Sequence, residues 1–237
     1  MSKLSNTLRS IYHALPEPPT TLYPSPIKRR IEAFAELPDD ALIFDIGSKN
    51  ARETYGFPNL PSNPRFVRVD IEDGPGVDLV ADAHDLHAVE ENSVDCIFCV
   101  SVLEHVFDPS KVVSEMYRIL KPGGLVYVNV PFLFPFHADP DDYRRYTVNG
   151  IKLLMSEFHC LDANYSRGPA STMHHLLVHF FAIAFSLNNR TLYGINVDLF
   201  KWLLFWVKYF DKFIGAFDMA HIVSTGSYFI GEKRVSD

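Results

Sequence analysis

Short apolar runs recur along the chain between segments with amphipathic, helix-like patterning. Residues 41–46 form a run rich in strand formers, as expected of a strand that is buried on both faces. Further strands are predicted at residues 65–70, 77–80, 93–101, 125–131, 160–165 and 227–233. Helices are predicted at residues 51–55, 102–106, 109–120 and 151–158, with a helix stop at 121–124. Strands that alternate with helices predict an α/β fold with a doubly wound, mostly parallel sheet, in which ligands bind at the carboxyl ends of the strands.

The segments that flank this core have a different character. Residues 1–15 are patterned as an amphipathic helix, a proline-rich strap follows at 16–26, and a helix is predicted at 27–37. Residues 171–187 contain no Asp, Glu, Lys or Arg. We predict one domain, in which residues 1–38 are N-terminal helices and the strap, 39–168 the core, 169–222 a helical insertion, and 223–237 a terminal strand.

Composition limits the class of protein. With 237 residues, 47% of them hydrophobic and 22% charged, the chain suffices for one large soluble domain. The formal net charge of −7 disfavours a nucleic-acid-binding protein, which is normally basic. Cys96, Cys99 and Cys160 give no even disulfide framework, and their spacing points Cys96 and Cys99 to opposite faces of a strand. Reduced thiols and the lack of a recognisable secretory signal predict a cytoplasmic protein.

The turn after the first predicted strand is a candidate ligand site. Gly47, Ser48 and Lys49 connect that strand to a predicted helix, whose free N–H groups suit a carboxylate or phosphate. Asp45, at the end of the strand, is placed to accept a hydrogen bond from a ligand amine or hydroxyl. The alternative is an ordinary strand-to-helix turn in which Ser48 is the cap.

Asp70 ends the second predicted strand, about twenty positions beyond the glycine turn. Nucleotide-binding α/β folds hold ribose hydroxyls with an acid at this place, because a carboxylate can accept hydrogen bonds from both hydroxyls of the diol. A solvated acid at the end of a strand is the alternative.

Residues 82–124 carry a recognisable series of motifs. An acid followed by a small residue, a buried strand, the sequence Leu-Glu-His and a helix ending in Leu-Lys-Pro-Gly-Gly occur in this order. The series resembles the middle of class I S-adenosylmethionine-dependent methyltransferases, in particular the group called type 11. The register is kept over residues 42–131.

This resemblance implies S-adenosylmethionine as the cofactor, and a terminal strand antiparallel to the fifth that completes a seven-stranded sheet. The implied cofactor contacts are Asp45, Gly47, Ser48 and Lys49 in the loop, Asp70 and Ile71 at the ribose, Asp82 and Ala83 at the adenine, and Ser101 and Leu103 beside the methionine portion.

The glycine loop departs from the family pattern. The family's loop is acid-x-Gly-x-Gly-x-Gly, and Lys49 and Ala51 replace its last two glycines. Lys49 brings a cation near a ligand that carries a sulfonium charge, although it could pair with the ligand's carboxylate. The main alternative function is therefore a methyltransferase-like scaffold that binds a partner without turnover. A nicotinamide-dependent dehydrogenase is less favoured, because Gly-x-Gly-x-x-Gly is absent.

The loop at residues 131–147 is the candidate acceptor site. It resembles a loop of bacterial methyltransferases associated with surface-glycan pathways, and its composition suits a small, glycan-linked or lipid-linked polar acceptor, methylated at oxygen rather than carbon. His137 is the leading candidate for a general base, followed by Asp142 and His105. Tyr143, Arg144, Arg145 and Tyr146 are the predicted acceptor contacts. Alternatively, the aromatic residues pack the loop and Asp–Arg pairs brace it, while Glu104 and His105 only shape the pocket.

Residues 199–217 are predicted to form a basic amphipathic helix. Aromatic residues including Trp202 and Trp206 lie on one helical face, opposite Lys201, Lys208 and Lys212. Such a helix can lie in a membrane interface, and a lid or a homodimer interface are the alternatives. The nearby histidines at 174, 175 and 179 have no acid beside them, so no metal site is predicted.

Overall fold

The fold is built on a seven-stranded sheet. The structure, a computed structural model, describes residues 31–48 and 60–235. Its strands are β1 (Leu42–Ile46), β2 (Arg65–Asp70), β3 (Leu79–Val80), β4 (Val94–Val100), β5 (Leu120–Pro131), β6 (His159–Tyr165) and β7 (Gly226–Glu232). They lie in the order β3-β2-β1-β4-β5-β7-β6, with β1 to β5 parallel and β7 antiparallel to both β5 and β6. The predicted mostly parallel sheet and its antiparallel terminal strand are confirmed.

Side chains alternate between two buried apolar layers, one on each face of the sheet. In β4, Ile97 and Cys99 belong to one layer, whereas Cys96 and Phe98 belong to the other. This alternation confirms that Cys96 and Cys99 lie on opposite faces. Burial raises the pKa of both thiols well above the ordinary value, so both stay protonated and act as small apolar side chains.

The helices are α1 (Pro109–Ile119), α2 (Val148–Leu154), α3 (Pro169–Ala184), α4 (Arg190–Leu203) and α5 (Asp211–Ile214), with 3-10 helices at Ile31–Glu36, Phe205–Phe210 and Asp218–Ile222. Helix α1 begins where the Asp108 carboxylate accepts hydrogen bonds from the amides of Ser110 and Lys111, at 3.1 and 3.3 Å. Proline at its first position is compatible with this start. Helix α1 buries Val112, Val113, Met116 and Ile119 in the same layer as Cys99.

The described residues divide into two compact units. One holds the sheet with α1 and α2, and comprises residues 31–48, 60–132, 137–166 and 226–235. The other, here called the helical unit, comprises residues 133–136 and 167–225 and holds α3, α4 and α5. Within the helical unit, Phe181 of α3 and Phe185, which caps the end of α3, stack on Phe200 of α4, with ring centroids 5.4 and 5.8 Å apart. A helical insertion before the last strand is confirmed, whereas the single-domain boundaries stay a prediction.

Several helix predictions differ from the structure. Residues 102–106 form a turn, and β5 begins at Leu120, so that the predicted stop at 121–124 lies inside the strand. The predicted helix at 199–217 is broken into the end of α4, a 3-10 helix and α5. Predictions for residues 1–30, which include the start of the helix predicted at 27–37, and for the helix at 51–55 lie outside the described residues. In residues 31–48 and 60–235, no helix is long and apolar enough to span a bilayer.

Candidate active site

The turn after β1 is shaped around Gly47. Its φ of +77° is in the left-handed region, and a Cβ there would lie 2.3 Å from Val102 Cγ2, so glycine is required on both counts. The Gly47 amide donates to the Val69 carbonyl oxygen at 2.7 Å, and the Ser48 hydroxyl donates to the Asp45 carbonyl oxygen at 3.0 Å. The first bond ties the end of β1 to β2, and Val102 of the turn that follows β4 packs closely against Gly47.

Asp70, Asp82 and Ser101 lie at the carboxyl ends of the next three strands. Asp70 Oδ1 accepts the Glu72 amide at 3.0 Å, and Asp82 Oδ1 accepts the His84 amide at 2.9 Å. Ser101 has a φ of +55° immediately after β4. Because β1 to β4 are parallel neighbours, these residues and Asp45 follow one edge of the sheet, where ligands of such folds bind.

The remaining predicted cofactor residues occupy different environments. Ile71 is 63% exposed, whereas Leu103 is fully buried and supports the turn after β4 from within the core. Ala83 is partly buried and packs against the same core layer. Lys49 lies outside the described residues, as does Ala51, so the effect of the altered glycine loop stays a prediction.

A buried acid and two histidines meet where the turns after β4 and β5 approach each other. Glu104 is completely buried, and its Oε1 lies 3.7 Å from His105 Nε2 and 3.8 Å from His137 Nε2. Within the described part of the chain, neither carboxylate oxygen of Glu104 has a hydrogen-bond partner. Burial raises the pKa of Glu104 to about 7, although the charges of His105 and Arg145 act in the opposite direction.

The Nδ1 atoms of His105 and His137, which point away from Glu104, each lie near an oxygen atom of another residue. His105 Nδ1 is hydrogen-bonded to the Asp141 carbonyl oxygen, and His137 Nδ1 lies 3.4 Å from Asp142 Oδ2. Arg145 donates two hydrogen bonds to the Asp142 carboxylate and holds the pKa of that group well below its usual range. Since a carbonyl oxygen can only accept, His105 carries its proton on Nδ1 and presents an unprotonated Nε2 to the buried acid when the ring is neutral.

The predicted acceptor contacts make several bonds within the protein. The Tyr143 hydroxyl donates to Asp141 Oδ2 at 2.9 Å. Arg144 donates to two carbonyl oxygens of the turn after β4, at 2.7 and 2.8 Å, and the Tyr146 hydroxyl donates to a third at 3.1 Å. Together with the Arg145–Asp142 ion pair, these hydrogen bonds agree with the alternative in which the loop at residues 131–147 is stabilised by its own side chains. Tyr143 is half exposed, which leaves it the most accessible of the four residues.

Glu104 has a more central place than the sequence predicts. From the sequence alone it is expected only to shape the pocket, whereas the structure puts its carboxylate between both candidate histidines. The available signal is an acid in a short turn directly after a buried strand, where a side chain is readily enclosed. The pairing of Glu104 with His137, 33 positions later, depends on the turn after β5 and has no local signal.

The segment that contains most of these residues is similar to a known protein family. The profile of the family described as methyltransferase domain matches residues 49–128, which include β2, β3, β4, α1 and Asp70, Asp82, Ser101 and Glu104. This match, with the relatives and solved structures described next, supports the class I S-adenosylmethionine-dependent methyltransferase that the motifs predict. The family predicted from the motifs is therefore confirmed.

Two curated relatives align with part of this methyltransferase core. A protein of Mycolicibacterium smegmatis, named a probable S-adenosylmethionine-dependent methyltransferase, is 34% identical over 77 residues, which are 32% of this chain and 27% of that protein. A ubiquinone biosynthesis O-methyltransferase of Xanthomonas axonopodis pv. citri is 35% identical over 71 residues, 28% of this chain and 30% of that protein. The matched segment thus spans less than a third of either relative.

Solved structures share the methyltransferase fold over most of the chain. The [4+2]-cyclase SpnF has a TM-score of 0.55 at 14% identity, covering 90% of this chain and 82% of that one. A Haemonchus contortus phosphoethanolamine N-methyltransferase 2 in complex with S-adenosyl-L-methionine has a TM-score of 0.52 at 16% identity, covering 89% of this chain and 53% of that one. Because one of these proteins is named a cyclase, the shared fold does not by itself set the reaction.

Proposed function

We propose that this methyltransferase core binds S-adenosylmethionine and transfers its methyl group to an oxygen atom of a polar small-molecule acceptor. The observation that carries the proposal is the row of Asp45, Asp70 and Asp82 along one sheet edge, which overlaps the segment matched by the methyltransferase family. Relatives named as ubiquinone biosynthesis O-methyltransferases support oxygen as the methylated atom.

The residues of this edge suit the cofactor. Gly47 gives the turn after β1 a φ of +77°, a conformation that favours glycine, and Asp70 has the chemistry to accept both ribose hydroxyls. Asp82 can accept a hydrogen bond from the adenine amine. When bound, S-adenosylmethionine supplies an electrophilic methyl group on a sulfonium centre.

The acceptor is proposed to meet the cluster formed by Glu104, His105 and His137. Methyl transfer requires an in-line approach of the nucleophile, so positioning is the main contribution of the protein. His137, with 35% of its side chain exposed, is our leading candidate for proton acceptance from a hydroxyl. Asp142 is paired with Arg145 and has a lowered pKa, so it suits orientation of His137 better than proton acceptance.

Calorimetric titration with S-adenosylhomocysteine tests the cofactor assignment. Asp70→Ala should weaken binding roughly 10- to 100-fold, because two hydrogen bonds to a charged acceptor are lost. Asp73→Ala, an exposed acid in the same connection, is the matched control and should bind as the parent does. Equal affinity of Asp70→Ala and the parent would refute the ribose assignment.

A scaffold without turnover is the alternative that Lys49 raises. The variant Lys49→Gly restores the family's glycine and separates the two functions. If Lys49→Gly binds S-adenosylhomocysteine and the parent does not, the scaffold function is favoured for the parent. If the parent binds at least as tightly as the variant, Lys49 belongs to a working cofactor site.

We further propose that the helical unit contacts a membrane surface or a lipid-linked acceptor. Its aromatic residues are unusually accessible: Trp202 is 38% exposed, Trp206 51% and Phe213 71%. Tryptophan beside lysine is the composition of surfaces that lie in the headgroup region, and each lysine adds about 1 kcal/mol on anionic lipid. A lid or a homodimer interface is the alternative use of this surface.

Flotation with vesicles of phosphatidylcholine and phosphatidylserine tests this second proposal. The parent should float with the vesicles at low salt, and Trp202→Glu/Trp206→Glu should remain at the bottom of the gradient. Glu157→Gln, at an exposed site of the sheet-containing unit, is the control for charge changes elsewhere. A parent that stays below the vesicles, or that forms dimers lost in the tryptophan variant, would contradict membrane contact.

A further inference from the structure

Glu104 presents an unusual electrostatic arrangement. Its side chain is completely buried, and within the described residues neither of its oxygens accepts a hydrogen bond. A buried carboxylate without donors is costly, so such a group needs either a proton or a cation close to it. The guanidinium of Arg145, whose charge also acts on Glu104, directs hydrogen bonds to both oxygens of Asp142 instead.

The two imidazoles beside Glu104 are arranged as metal ligands are. Each turns Nε2 toward Glu104 Oε1, at 3.7 Å for His105 and 3.8 Å for His137. Each has its Nδ1 near an oxygen acceptor, the Asp141 carbonyl for His105 and the Asp142 carboxylate for His137. Such outer contacts orient a ligating histidine and fix the tautomer that leaves Nε2 for the metal.

We propose that Glu104, His105 and His137 bind one divalent transition-metal ion. One oxygen or nitrogen of each residue lies within 4.8 Å of the others, and the set combines two imidazoles with one carboxylate. This combination suits Zn²⁺, Fe²⁺, Co²⁺ or Mn²⁺ rather than Ca²⁺ or Mg²⁺, which prefer oxygen ligands. The site differs from the histidines at 174, 175 and 179, for which no metal is predicted.

The spacing of the three groups is compatible with such an ion after a small contraction. Bonds of about 2.0–2.1 Å in tetrahedral geometry place ligand atoms about 3.3 Å apart. The two spacings to Glu104 Oε1, 3.7 and 3.8 Å, are somewhat wider than this, and all three ligand atoms lie within 4.8 Å of one another, so the side chains would have to move inward to bind the ion. Three protein ligands leave at least one position for water or an acceptor oxygen.

The metal site is argued from geometry alone, and only the role of the ion in methyl transfer rests on the proposed function. An acceptor hydroxyl bound to the ion would have a lowered pKa and would release its proton to water more easily, which leaves an alkoxide oxygen as the nucleophile for methyl transfer. His137 would then act as a ligand, and the ion would replace it as the group that activates the hydroxyl.

Metal titration in the absence of cofactor and acceptor tests the site. Metal-stripped protein is titrated with Co²⁺, and visible d–d absorption is recorded, followed by competition with Zn²⁺. We expect one ion per chain. Glu104→Gln and His137→Ala should bind more than about 100-fold more weakly, because loss of even an outer partner of a ligand costs about 10–100-fold.

His87→Ala is the matched control, since His87 is an exposed histidine that contacts Asp85 at 3.2 Å and should not affect binding. The proposal is overturned if the parent shows no saturable d–d absorption, or if Glu104→Gln and His137→Ala bind like the parent. Should Glu104→Gln fail to fold, the partly exposed His137→Ala decides alone.

Titration of the same samples with S-adenosylhomocysteine separates the two proposals. Cofactor binding without metal binding would reject the metal site and leave the proposed function intact. Metal binding without cofactor binding would reject the proposed function and leave the metal site intact.

Discussion

Among individual residues, His137 takes part in both proposals, because it lies between Glu104 and Asp142. We expect His137→Ala to lower kcat roughly 10²–10⁴-fold, the usual contribution of a positioned acid–base group, and a loss of kcat is also expected if His137 holds the ion that activates the hydroxyl. Its affinity for S-adenosylhomocysteine should stay nearly unchanged, since Asp70 and Asp82 are assigned to that ligand. The rate of S-adenosylhomocysteine formation, with a polar acceptor found by screening, measures the effect. If His137→Ala turns over as fast as the parent and His87→Ala, His137 only packs the loop and takes no part in the reaction.

At the scale of elements, the start of α3 depends on a residue from α5. Asp211 is buried, and its carboxylate accepts hydrogen bonds from the Ala170 amide at 2.7 Å, the Ser171 amide at 2.9 Å and the Ser171 hydroxyl at 2.6 Å. The N-cap position itself is Gly168, where a Cβ would lie 2.4 Å from Asp211 Oδ1. The glycine therefore makes room for a cap supplied from a distant part of the chain.

Asp211→Ala should lower the free energy of unfolding by about 2–4 kcal/mol, because it removes a cap and leaves buried donors unsatisfied. Urea denaturation followed by circular dichroism measures the change. Asp218→Ala, at an exposed position in the same region, should shift the free energy by less than about 0.5 kcal/mol. Similar values for both variants would show that the cap does not stabilise α3.

The elements also show what a sequence can predict. The apolar runs of β1, β4 and β5 and the glycine at position 47 are local signals, and they suffice to predict a mostly parallel sheet with a ligand turn after its first strand. The antiparallel terminal strand and the family follow instead from the resemblance of residues 82–124, and the order of the strands is seen only in the structure. The helical apolar spacing of residues 199–217 predicts a continuous helix, yet the Asp211 carboxylate accepts a hydrogen bond from the Ala170 amide, 41 positions away. The cluster around Glu104 escapes prediction for the same reason, since its members come from separate turns.

For the whole molecule, the buried His174 and the partly buried His175 of the helical unit predict how stability depends on pH. Burial, with the charge of Lys208 added, lowers the pKa of His174 to about 4. Burial, with the charges of His174 and Arg167 added, lowers that of His175 to about 3. Further positive groups that act on these rings or on the neighbouring His179 are those of Lys201 and Lys208.

The sign follows from proton uptake by the unfolded chain. Between about pH 6.5 and pH 4 the unfolded histidines bind protons and the folded ones do not, so stability falls as the pH falls. Each histidine contributes up to about 1.4 kcal/mol per pH unit in that window. The slope of unfolding free energy against pH should be shallower for His174→Gln/His175→Gln than for the parent. Identical slopes would show that the two rings are protonated in the folded protein.

The position of β7 has a consequence for synthesis of the protein. This strand follows β5 and β6 in the chain, but it lies between them in the sheet. While the ribosome makes residues 166–225, the sides of β5 and β6 that will face β7 present bare backbone donors and acceptors, and such edges recruit strands from other chains. Slow translation through the helical unit should therefore increase the fraction of nascent chains that require a chaperone, whereas rapid delivery of β7 closes the sheet before neighbouring chains can pair with it.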